Sequence, residues 1–209
     1  MDSERLNALR DFLEREIVPR YDAFDAGHRR DHAHAVMAQS QHLAQYYPEV
    51  DAAMLLAAAA YHDLGLAEGR EEHHLASGRL IRRDERLREW FTPEQIEVIA
   101  CAAEDHRASA KHEPRTIYGR IIAESDRLID AHTIITRALQ YGRTHSPELT
   151  VEQQAERAIA HLREKYGDGG YLKLWIPESD NAQRLAAFRR LMADEQQLRQ
   201  LVNQLMRDL

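Results

Sequence analysis

The chain has 209 residues, with 28 Lys+Arg against 35 Asp+Glu and a formal net charge of −7. That length buries a sizeable core without disulfide or metal staples, while the acidic balance argues against a nucleic-acid polymer or an anionic membrane as partner. The lone Cys101 excludes an intrachain disulfide framework, and the longest apolar run, Ala52 to Tyr61, is about half a membrane span. With an N-terminus too charged for a signal peptide, these features predict a soluble, cytoplasmic chain.

The apolar spacing is helical nearly throughout. Residues 3–18 read as an amphipathic helix stopping at Pro19, and a second runs from about Arg29 to Tyr46 with Val36, Leu43 and Tyr47 on one face. Residues 51–63 are apolar almost all round, which marks a central buried helix, with Gly65 as its C-cap. A fourth helix covers about 70–83, and a fifth opens at Thr92-Pro93-Glu94-Gln95, a capping box with proline at the first helical position. A sixth spans about Thr116 to Tyr141; a second capping box, Thr150 to Gln153, opens a helix reaching about Tyr166. After the turn Gly167 to Gly170, one long helix over roughly 180–207 carries Leu185, Phe188, Met192, Leu198, Leu201 and Leu205 as its stripe. That stripe suits a homodimer interface and intramolecular packing equally. No stretch reads as a strand and no linker interrupts the chain, so the expectation is a single all-α domain over residues 1–209.

Histidine is the anomaly. Nine of the twelve fall between residues 28 and 112, and histidine is both the commonest metal ligand and the side chain that titrates near neutrality. His62-Asp63 ends the buried helix, where an aspartate meets both desolvation and the negative end of the helix dipole. A bound cation relieves both penalties; a helix end facing water relieves them too. His32 shares a face with Val36 and Leu43, His28 lies one turn earlier, and His34 points elsewhere. Asp126 lies between Ile122 and Ile129 at helical spacing, and a carboxylate on an apolar face is rarely buried without a partner. His106 closes the stripe of Ile96, Ile99 and Ala103, while His73 and His74 open another helix. Four helices thus direct histidine or aspartate inward, which is how helical folds build metal sites. The donors are nitrogen and carboxylate oxygen without thiolate, a set that favours Mn, Fe, Co, Ni, Zn or Mg over a closed structural zinc site.

His32, then His62-Asp63, then Asp126 within Glu-Ser-Asp-Arg-Leu, resembles the HD superfamily of metal-dependent phosphohydrolases over residues 22–135. Asp31-His32-Ala33-His34-Ala35-Val36 looks like the family's first ligand helix, and Ala60-Tyr61-His62-Asp63-Leu64-Gly65 like its signature helix end. The resemblance implies that His32, His62, Asp63 and Asp126 bind one divalent ion, with Asp63 also orienting the attacking water. It further implies an optional second ion at His73 (or His74) and His106, bridged by Asp63; a supporting or substrate-contacting role for His73 and His106 is the alternative. His28 is read as supporting the ligands from behind. There is no Gly-Tyr-Pro motif after the histidines and no synthetase domain, so the cyclic-dinucleotide and guanosine-alarmone branches are not supported. Residues 148–209 are expected to form a helical extension, and the resemblance does not reach them.

From His106 to Arg120 the charge is +3, from Arg107, Lys111, Arg115 and Arg120 against Glu113. Cations beside a metal site suit a phosphate, so Arg107, Lys111 and Arg115 are the expected clamp on a small phosphorylated substrate. The expected activity is phosphomonoester or phosphodiester hydrolysis; the rivals are a di-iron oxygenase on the same scaffold and a catalytically silent binding module.

Overall fold

The computed structural model describes residues 2–24, 27, 29–110 and 112–209. Among them the chain is all-α, with ten α-helices, several shorter helical turns and no strand, and no helix is long and apolar enough to cross a membrane. Two compact units divide it, residues 1–127 and 128–209.

In the first unit, α1 (Ser3–Phe12) starts under Asp2, whose side chain accepts from the Arg5 N–H at 2.9 Å. The chain then stays helical past the predicted stop at Pro19. It widens into a π turn over Leu13–Ile17 and tightens into a 3-10 turn over Val18–Ala23. Pro19 sits at the start of that tighter turn, where its missing N–H costs nothing. The π turn admits an extra residue and rotates everything after it, and Tyr21 ends fully buried.

Next come α2 (Arg30–Ala44) and α3 (Ala52–Tyr61). Every residue of α3 after Ala52 is buried, as its all-round apolarity predicts. Ala57, Ala58, Ala59 and Ala60 let neighbours approach closely, and α2, α5 (Pro93–Glu104) and α6 (Ile117–Asp126) all pack on this helix. Thr92 caps α5 through the predicted capping box. Between α3 and α5 lie a 3-10 turn over Leu64–Glu68 and α4 (His73–Arg83).

The second unit holds α7 (Ala131–His145), α8 (Val151–Tyr166), α9 (Asn181–Ala193) and α10 (Glu195–Arg207). Two predicted long helices are in fact broken, each by an aspartate. Asp130 accepts from Thr133 N–H at 2.8 Å and opens α7; Asp194 accepts from Gln197 N–H at 2.9 Å and opens α10. A short carboxylate that bonds the backbone three residues on competes with helix continuation. The new start also re-phases the last helix. Leu198, Val202 and Met206 are buried, while Leu201 and Leu205 are only half-buried.

Gly65 corrects another expectation. His62 is the residue that ends α3, and Gly65 has no positive φ. Its role is close approach. A Cβ there would overlap the His73 carbonyl oxygen and lie 2.6 Å from Ser77 N, and its own N–H donates to Ser77 Oγ at 2.9 Å. Because the obstruction is backbone, Gly65→Ala should push α4 outward and destabilise the fold by about 1–3 kcal/mol, measured by urea unfolding.

Candidate metal centre

Adjacent residues on a helix diverge by about 100°, so His62 and Asp63 can meet at one point only if the helix opens between them. It does: Asp63 has φ −107° and ψ 2°, outside the α-helical range. His62 Nε2 and Asp63 Oδ2 are then 3.2 Å apart. From α2, His32 Nε2 arrives 3.2 Å from His62 Nε2 and 3.4 Å from Asp63 Oδ2. The last residue of α6 completes the set, with Asp126 Oδ1 at 3.2 Å from His32 Nε2 and 3.8 Å from His62 Nε2.

The other oxygen of Asp63 faces a second group. Oδ1 lies 3.3 Å from His73 Nε2 and 3.3 Å from His106 Nε2, and those two nitrogens are 3.1 Å apart. Donors about 2.1 Å from a common ion stand about 3.0–3.4 Å from one another in octahedral or tetrahedral arrangements. Nearly every separation here falls in or close to that range, and each set lies within 4.8 Å overall. The structure therefore brings together His32, His62, Asp63 and Asp126, and separately Asp63, His73 and His106.

Hydrogen bonds fix the direction of the rings. His62 Nδ1 donates to Ala59 O at 2.7 Å, His73 Nδ1 to Arg70 O at 2.8 Å and His106 Nδ1 to Ala103 O at 2.5 Å. A carbonyl only accepts, so the neutral rings carry their proton on Nδ1 and aim the Nε2 lone pair at the cluster. The lone pairs of His73 and His106 then face each other at 3.1 Å, an arrangement that a cation between them would relieve.

The carboxylates bear on the same point. Burial works against the charge on Asp63, yet the neighbouring His62, His106 and His32 hold its carboxyl well below the usual range. Asp126 is lowered too, against burial, by the His32 hydrogen bond and charge and by His106 and His62. Burial pushes His32 down, but Asp126 and Asp63 together raise it to about 9. A divalent ion bound through nitrogen and oxygen would balance the two carboxylates in place of protons on the rings.

A family model for the HD domain matches residues 29–131. Residues 29–131 are an HD domain. HD domains bind divalent metals, and the family consists mostly of metal-dependent phosphohydrolases. No curated protein and no solved structure matches the chain.

The remaining predicted residues are placed less uniformly. His28 and Lys111 lie outside the described residues. His74 joins neither set; burial, then the nearby His106, Arg107 and His73, push it down to about 4. Arg107 Nη1 donates to Glu71 O, two residues before His73. Arg115 is placed as a brace, which differs from its predicted clamping role. Its N–H and Nε donate to Asp105 at 2.7 and 2.9 Å, and its Nη2 meets Glu104 Oε2 at 2.7 Å and Cys101 O at 3.2 Å. Glu104 in turn pairs with Arg82, which also holds Glu97. The network ties the His106 end of α5 to α4 and to the start of α6. Asp105 is its buried anchor, and an acidic residue flanking an inward-facing histidine was the one signal that could have found it in sequence. Tyr21, whose hydroxyl touches the helix end at Ala60 and Asp63, lies outside every periodic pattern.

Two outcomes follow from this geometry. Removing Arg115 leaves the Asp105 carboxylate buried and short of donors, so Arg115→Ala should destabilise the fold by about 1–3 kcal/mol in urea unfolding. For His32, a folded pKa of about 9 against an ordinary 6.5 means that protonation stabilises the metal-free fold fully below pH 6.5 and ceases to do so as pH rises through 9. Thermal midpoints in chelator should fall across that window. With saturating Mn(II) the ion replaces the proton and the fall should vanish.

Proposed function

We propose that this chain is a metal-dependent phosphohydrolase acting on a small phosphorylated metabolite or nucleotide. The observation that carries the reading is Asp63, one carboxylate whose two oxygens each face a separate histidine set. His32, His62, Asp63 and Asp126 would hold one divalent ion, and His73 and His106, with Asp63, a second. A bound divalent ion supplies a lowered water pKa and polarisation of a phosphoryl oxygen.

The protein's own groups account for the rest. Side-chain exposure is 4% or less at His32, His62, Asp63 and His106, against 14% at His73 and 25% at Asp126. The cluster is therefore open along the side that Asp126 and His73 border, and substrate approaches there. Asp63 stays ionised, so it can accept a hydrogen bond from the attacking water and orient its lone pair towards phosphorus as the ester P–O bond breaks. Arg107, bound to Glu71 O by one nitrogen, keeps further N–H donors for phosphate oxygens beside the His73–His106 set. Arg115 does not share that role, because Asp105 and Glu104 hold its guanidinium. An acidic chain with a single cysteine fits a cytoplasmic enzyme for small substrates better than one for nucleic-acid polymers or membranes.

The deciding experiment loads the stripped protein with Mn(II) or Fe(II) and challenges it with a panel of phosphomonoesters and phosphodiesters. Release of phosphate or monoester is expected. Arg107→Ala should raise KM by about tenfold or more with unchanged metal content, since a charge-assisted contact is worth roughly 1.5–3 kcal/mol. Oxygen consumption coupled to substrate turnover by the iron-loaded protein, with no hydrolysis, would replace this reading with an oxygenase.

A further inference from the structure

The clasp that holds the end of α3 open comes from outside the HD-domain match. Tyr21 lies eight residues before that match begins, on the 3-10 turn reached through the π turn of the N-terminal segment. Its side chain is fully buried. The hydroxyl donates to Ala60 O at 3.0 Å and accepts from Asp63 N–H at 3.3 Å. Its ring stands 6.3 Å, centre to centre, from that of His62, with Phe24 edge-on behind it at 5.6 Å.

Those two backbone groups are the ones that the opened turn leaves to be satisfied. A helix has no intrahelical partners for its last carbonyls. At α3 the Ala59 carbonyl takes the His62 ring N–H, which is what aims His62 Nε2 at the cluster. The next carbonyl, Ala60, and the N–H of Asp63 are then joined through one phenol oxygen rather than through the helix. A hydroxyl can do this because it donates and accepts at once. Phenylalanine would fill the same space and do neither.

We infer that Tyr21 is a positioning residue for the metal centre: its hydroxyl sets the backbone of Asp63, and through it the direction in which both Asp63 oxygens face. The inference rests on the metal reading given above. Outer hydrogen bonds of this kind typically change metal affinity by about 10–100-fold when removed.

The test uses Co(II), whose visible absorption reports ligand geometry without any turnover. Stripped wild type and Tyr21→Phe are titrated with Co(II), and their thermal unfolding is followed in chelator. Expected are a wild-type absorption band, and in Tyr21→Phe a shifted or weakened band with about tenfold weaker Co(II) binding. Its unfolding midpoint in chelator should stay within a few degrees of wild type. If Tyr21→Phe does not fold, 4-aminophenylalanine introduced at position 21 restores a donor of similar size and should return the band towards that of wild type. An unchanged band and affinity in Tyr21→Phe would overturn the inference, as would a loss of stability in chelator with the band unaltered. Failure of the wild type itself to bind Co(II) overturns the metal reading and this inference together.

Discussion

One buried carboxylate governs this molecule. Asp63 sits at the end of the most apolar helix in the chain, almost inaccessible to water, and an unpaired charge there would cost several kcal/mol. It persists because four imidazoles are brought to its two oxygens, two on each side. Each imidazole arrives from a different stretch of chain. Within residues 1–127, the opened end of α3 and the small residues at the helix crossings serve that convergence.

The packing shows how backbones are brought near enough. Four consecutive alanines at the end of α3 leave room for the helices that carry His32 and Asp126. Gly65 lets the first turn of α4 lie against the chain just past Asp63, which is what sets His73 within reach of Oδ1. Gly78 does the same one turn further along, where Glu104 lies over the space that a Cβ would fill and ties α5 to Arg82 of α4. Small residues and the clustered histidines and aspartates are thus two parts of one arrangement: the first determine whether the second can meet.

The sequence made the clustered residues legible as candidate ligands because ionisable residues at helical spacing on apolar faces contradict their surroundings, and a group such as Asp126 among isoleucines has to be explained. The all-α class and both threonine capping boxes were legible for equally local reasons. What escaped was whatever depends on distant chain. Arg115 reads as a phosphate clamp in sequence, and only the fold shows Asp105 and Glu104 waiting for it. Gly65 reads as a helix terminator, and only the position of α4 shows that it is a spacer. The breaks at Asp130 and Asp194 were hidden because apolar periodicity runs through them; the aspartate carboxylate bonding three residues ahead outweighs the continuing pattern. Tyr21 follows a proline at which the helix was expected to stop, so nothing local marked it.

The bonds from His62, His73 and His106 to carbonyls three residues earlier have a kinetic consequence. A histidine free to rotate must choose a tautomer and a rotamer before it can coordinate, and each choice adds an entropic cost and a waiting time. For these three rings the choices are made during folding, so capture of an ion would need none of them to flip. An ion held there would meet three rings already aimed, and the step left to the protein is release of the proton that Asp126 and Asp63 hold on His32.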